Sequence, residues 1–99
     1  MIFIGWKLYY NIGNLAESNL TSINSSRAVC DLGPTTSDIA IGGSYGIFSA
    51  RTGINYLVTF NGNEGLDSYR TEIQNYDTEP GAITFQSVVF CFDNPPLRP

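Results

Sequence analysis

The stretch Asn55-Tyr56-Leu57-Val58-Thr59-Phe60-Asn61-Gly62-Asn63-Glu64-Gly65-Leu66-Asp67-Ser68-Tyr69-Arg70-Thr71-Glu72-Ile73-Gln74-Asn75 decides the fold class. Residues 55 to 60 are dominated by β-branched and aromatic side chains, which suit a pleated surface. Asn61 to Gly65 then supplies the residue types that tolerate the left-handed backbone of a hairpin loop. Beyond the loop, Tyr69, Thr71 and Ile73 alternate with Arg70, Glu72 and Gln74. A period of two is what a strand with one buried face imposes, so the stretch reads as a β-hairpin.

Outward from the hairpin, Glu79-Pro80-Gly81-Ala82 has proline and glycine where a type II turn wants them. Ile83 to Phe92 follows as a long strand. At the other end, Ile2, Ile4, Trp6, Leu8, Tyr10 and Ile12 alternate with Phe3, Gly5, Lys7, Tyr9 and Asn11, which predicts a strand that stops at Gly13-Asn14. Leu15 to Arg27 is polar and fits neither period, so it reads as irregular or a short helix. Ala28 to Leu32 reads as a short strand stopped by Gly33-Pro34. Asp38 to Ile41 reads as a strand closed by Gly42-Gly43, and Tyr45 to Ala50 as another. Asp93 to Pro99 reads as an extended polyproline-like tail. Short strands with glycine-rich turns predict an all-β protein: a small antiparallel β-sandwich or barrel with long Gly-rich loops and an extended Pro-rich C-terminal tail. The domain spans 1–94 and the tail 95–99.

The chain has 99 residues, of which 42% are hydrophobic and 14% charged. That is enough apolar matter for one core and little charge to keep a lone particle in solution. The net charge of −4 argues against nucleic acid and anionic membrane as partners. No apolar run approaches the roughly 20 residues that span a bilayer. The N-terminal segment lacks a basic stretch and a small-residue cleavage site, so it reads as mature sequence of cytosolic origin. On that reading Cys30 and Cys91 are expected as free, buried thiols, and Asn19-Leu20-Thr21 and Asn24-Ser25-Ser26 as chance matches to the glycosylation pattern.

The chain contains no histidine, which removes histidine-based triads and most zinc sites. The letters Gly42-Gly43-Ser44-Tyr45-Gly46 fit the nucleophile-elbow pattern, yet that motif needs a larger α/β fold and a histidine partner, so a Gly-Ser turn explains them. Asn61, Asn63 and Glu72 occupy the first, third and twelfth places of a calcium-loop spacing, but Gly65 and Leu66 occupy the fifth and sixth. The nine carboxylates single out no pair. No catalytic activity, cofactor or metal is expected.

The aromatic content of 13% is the remaining signal. The first and last strands are apolar on both faces, and a small two-layer domain covers only one face of a strand. An interface drawing on Ile2, Ile4, Trp6, Leu8, Val88 and Phe90 is therefore expected, with a second copy (a homo-oligomer, a trimer among the options) and with a larger assembly as partners.

In length, composition and aromatic, apolar strands the chain resembles the decoration (cement) proteins of bacteriophage capsids. That resemblance implies a virion structural protein, assembled in the host cytoplasm, that stabilises a shell. Two other classes fit the composition. One is a carbohydrate-binding module using Tyr45, Tyr56, Tyr69 or Trp6 as stacking platforms. The other is a small acidic inhibitor of a host enzyme, for which the acidic residues are sparse.

Overall fold

The computed structural model describes residues 8–33, 36–50 and 52–93. The first part of the expected N-terminal strand, with Ile2, Ile4 and Trp6, and the Pro-rich tail lie outside the described residues. All regular structure among the described residues is β: β1 (Leu8–Ile12), β2 (Ala16–Ser18), β3 (Ile23–Val29), β4 (Leu32–Gly33), β5 (Thr36–Ser37), β6 (Ile39–Ser49), β7 (Tyr56–Asn63), β8 (Ser68–Asn75) and β9 (Ile83–Phe92). Two antiparallel sheets pack face to face, which makes the protein a sandwich. β4 and β5 form a small separate hairpin.

β9 is the centre of one sheet. β6 runs along one of its edges, from Ile39 opposite Phe92 to Ser49 opposite Thr84. β1 and β2 share the other edge, with Leu8 opposite Phe92 and Ser18 opposite Ile83. They behave as one strand interrupted at Gly13, whose amide still donates to Ser87 O at 2.8 Å. The second sheet has the order β3-β8-β7. Its β7–β8 hairpin carries the expected alternation, with Thr71 and Ile73 buried between partly exposed Arg70, Glu72 and Gln74. Gly65, at φ 76°, makes its turn. That turn also binds the sandwich together: Cys30 N donates to Asp67 O and Ala40 N to Leu66 O, both at 2.8 Å.

The stretch Leu15 to Arg27 is not irregular or helical but contributes β2 and most of β3. Its apolar period is missing because the buried positions there are Ala16, Ser18 and Ser26, which are small or polar. Backbone partners rather than apolar side chains hold it. Asn11 Nδ2 donates to Val29 O at 2.9 Å, Arg27 N to Asn14 Oδ1 at 2.9 Å, and Asn24 Nδ2 to Glu17 O at 3.0 Å. These amides bridge the β1/β2 edge of one sheet to the β3 edge of the other.

A second correction concerns Gly42-Gly43, which closes no strand. β6 runs through both glycines for 11 residues, with register shifts between Ala40 and Gly42 and between Ile47 and Ser49. The glycine is needed at Gly43 because a Cβ there would sit 2.4 Å from Tyr69 Cγ.

The core has two apolar clusters. Ile73, Ile83, Phe85 and Ala16 form one, with Tyr45, Ile47, Ile54 and Val58 against it. Ala28, Ala40, Tyr69, Val89, Cys30 and Cys91 form the other, with Tyr9 at its side. Buried hydroxyls lie among them, and Ser87 N donates to Ser26 Oγ at 2.9 Å while Ser26 Oγ donates to Asn14 O at 2.5 Å. A buried polar group is tolerated when it is bonded in this way.

The cysteines overturn the free-thiol expectation: Cys30 and Cys91 form a disulfide, with Cα atoms 5.8 Å apart. The sequence separates them by 61 residues, yet the end of β3 lies across the sandwich from β9, within the 4.4–6.8 Å a bridge requires.

Candidate functional site

The site is built on the outward face of the β9-centred sheet. Because successive side chains alternate between faces, the registers define its rows directly. Leu8, Phe92 and Ile39 form one row; Tyr10, Phe90 and Gly42 the next; Ile12, Val88 and Ser44 the third. Ile41, the residue added at the register shift, stands beside the second row and is 54% exposed. Leu8, Tyr10 and Ile12 are 57%, 63% and 58% exposed, and Phe90 is 44% exposed. None of these described positions carries a charge.

Further along the same face the chemistry changes. Gln86, Thr84, Ser49 and Glu17 occupy the outward positions toward the start of β9. The face is therefore apolar at the disulfide end and largely polar at the other, where Phe48, at the second register shift of β6, stands 66% exposed beside Ser49. In the apolar half, Leu8, Tyr9, Tyr10, Ile41 and Phe90 line a hollow of about 450 Å³.

The outer face of the second sheet is charged around Arg70, with Ile23 and Leu57 exposed in the row of Gln74. Arg70 Nε bonds Glu64 Oε2 at 2.6 Å and its Nη1 bonds Glu72 Oε2 at 3.0 Å. Its guanidinium lies 4.3 Å from the centre of the Phe60 ring. Glu64 first, and then Glu72, hold Arg70 above its ordinary pKa. A satisfied ion network of this kind is a solvated surface, whereas the described positions of the apolar half of the first face carry no charge.

Of the expected interface residues, the structure brings Leu8, Val88 and Phe90 together on one outward face, with Val88 half-buried. Ile2, Ile4 and Trp6 lie outside the described residues. Tyr10, Ile12, Ile39 and Ile41 belong to the same patch. Tyr10 and Ile12 share the parity of Leu8 in the sequence, a signal that could have found them. Ile41 shares the parity of Ile39 on either side of buried Ala40, the same signal, and the register shift that follows brings Gly42 to the outward face after it.

The other candidate chemistries do not assemble. Ser44 lies exposed within β6, not at a strand-to-helix turn. Asn61 Oδ1 accepts from Thr71 Oγ1 at 3.1 Å while Glu72 engages Arg70, so the calcium-loop positions are occupied with other partners. The described residues contain no group of three or more acidic or cysteine side chains placed to hold a metal. Of the stacking platforms, Tyr69 is buried and Tyr45 packs against the core, which leaves Tyr56 exposed. Trp6 lies outside the described residues.

Tyr9 sits beneath the patch, on the inward side of β1. Its hydroxyl donates to Asp38 Oδ2 and accepts from Asp31 N at 2.9 Å. Burial first, and then the bond to the Asp38 carboxyl, push its pKa up to about 12. This bond ties β1 to the segment that leads into β6, the two strands that flank Phe90.

Comparison with family models, with curated proteins and with solved structures finds no match to this chain.

Proposed function

We propose that the protein is a structural component of a larger protein assembly, a decoration or cement protein of a virion shell, that works by association and not by turnover. The observation that carries this reading is the uncharged, apolar half of the β9-centred face. Six of its side chains, Leu8, Tyr10, Ile12, Ile39, Ile41 and Phe90, are at least 40% exposed. A contiguous patch of this kind on a soluble domain marks an interaction surface. Aromatic residues at its centre and absence of charge are the compositional marks of interface cores. The disulfide departs from the cytosolic expectation and fits an oxidising setting, a virion surface or a secreted protein alike.

Sedimentation velocity of the wild-type chain and of Ile41→Asp tests the reading. Ile41 is exposed and outside the core, so the variant keeps its fold. The wild type is expected to sediment as an oligomer and Ile41→Asp as a monomer with an unchanged circular dichroism spectrum. A monomeric wild type, or an oligomer indifferent to the charge, contradicts the proposal.

A further inference from the structure

We infer that the apolar half of this face is covered by the same patch of a second copy, the two related by a two-fold axis that lies in the interface and runs across the strands through Tyr10, Phe90 and Gly42. This rests on the assembly reading above and names the partner that its patch takes.

Area is the first argument. A large aromatic or aliphatic side chain offers roughly 150–250 Å² when fully exposed. Six side chains between 40% and 63% exposed therefore present about 600 Å². That approaches the ~800 Å² each partner contributes to a stable interface of standard size.

Charge is the second. The chain carries a net −4, so two copies repel unless they meet through a surface free of charge. Here the described outward positions of the apolar half provide one. A single self-complementary patch is closed by a two-fold operation, whereas a trimer requires two different surfaces.

The division of the face selects the axis. An axis along β9 would lay the polar half of one copy on the polar half of the other and desolvate Gln86, Thr84 and Glu17. An axis across the strands at Phe90 overlaps only the apolar rows. It places Ile12 and Val88 of one copy over the row of Leu8, Phe92 and Ile39 in the other, and so brings Ile12 to the hollow between Leu8, Tyr10, Ile41 and Phe90. The polar halves then project in opposite directions into water.

This geometry separates two positions on one face. Tyr10 lies on the axis row and faces its counterpart across the ~10 Å spacing of stacked sheets. Thr84 is six residues from Phe90 along β9, roughly 20 Å at 3.3 Å per residue, so its counterpart is about 40 Å away. The native cysteines are bonded to each other, so a single introduced cysteine is the reactive thiol in each variant.

The experiment combines native mass spectrometry of the oxidised chain with cross-linking of Tyr10→Cys and Thr84→Cys by a short bis-maleimide. The expected result is a species of twice the 10.9 kDa chain mass, captured through residue 10 and not through residue 84. Phe90→Asp, with its disulfide intact, is expected to run as a monomer. An oligomer that Ile41→Asp dissolves but that residue 84 captures in place of residue 10 overturns the two-fold and leaves the assembly reading standing. A wild-type chain monomeric at its highest soluble concentration overturns both.

Discussion

Cys30, just past the end of β3, is bonded to Cys91 of β9, the central strand of the opposite sheet, at a sequence separation of 61. The bond joins the two layers at the end where the apolar outer patch lies, one residue from Phe90. It closes a long loop of a chain whose core includes small and hydroxyl-bearing side chains. In the chain-entropy model a loop of this length is worth about 4 kcal/mol, a large share of the ordinary stability of a domain this size. Reduction, or the double replacement Cys30→Ser and Cys91→Ser, is expected to lower the thermal midpoint by roughly 15–30 °C. Calorimetry with and without reductant checks this, and an unchanged midpoint would refute it.

Gly43 lies against the ring of Tyr69. A Cβ at this position would meet Tyr69 Cγ and Val88 O at 2.4 Å, and the carbonyl belongs to a ladder that cannot shift freely. Gly43→Ala is expected to cost about 3 kcal/mol, the upper range for overpacking a core. Gly46→Ala, where nothing lies within 4 Å of the added atom, serves as the control with a small effect. Chemical denaturation of the two variants gives the comparison, and equal losses would show that the close approach does not limit packing.

Thr21 has a φ of 60° in the turn between β2 and β3, where Ser22 N donates to Asn19 O at 2.8 Å. A β-branched residue in the left-handed region is strained, and glycine is not. Thr21→Gly is expected to stabilise the protein by about 1 kcal/mol. A denaturation midpoint that falls instead would contradict the strained turn.

Tyr9 titrates near 12 in the folded chain and near the ordinary 10 when unfolded. The folded state thus holds the proton more tightly. Its contribution to stability is complete below pH 10 and is lost as the pH rises from 10 towards 12. A phenolate absorbance titration should show a late step that Tyr9→Phe removes, and a titration curve unchanged by that substitution would contradict the buried bond to Asp38.

The hairpin of β7 and β8 and the long β9 were legible in the sequence because large apolar residues such as Val58, Ile73, Ile83, Phe85 and Val89 mark their inward faces and their turns carry glycine or proline. β2 and the start of β3 were not, since their buried positions are Ala16, Ser18 and Ser26 and their cohesion comes from Asn11, Asn14 and Asn24. Gly42-Gly43 read as punctuation, while Gly43 is there to admit a ring. The patch was half visible: Leu8, Val88 and Phe90 stood out because their strands are apolar on both faces. Ile39 and Ile41 follow the plain alternation around buried Ala40; what the sequence hid was the register shift after Ile41, which leaves no mark in the alternation and turns Gly42 outward and Gly43 toward Tyr69. The disulfide was hidden for a related reason, as only the packing of β3 over β9 brings Cys30 to Cys91.

Hydroxyl-radical labelling of the purified protein, read residue by residue at low and high concentration, tests most directly whether the outer face of the β9-centred sheet is where the molecule associates. Leu8, Tyr10, Ile41 and Phe90 are expected to become protected together as concentration rises, while Leu66, 82% exposed at the hairpin tip, labels equally throughout. Equal labelling of the four patch residues at both concentrations, or protection of Leu66 in their place, would contradict it.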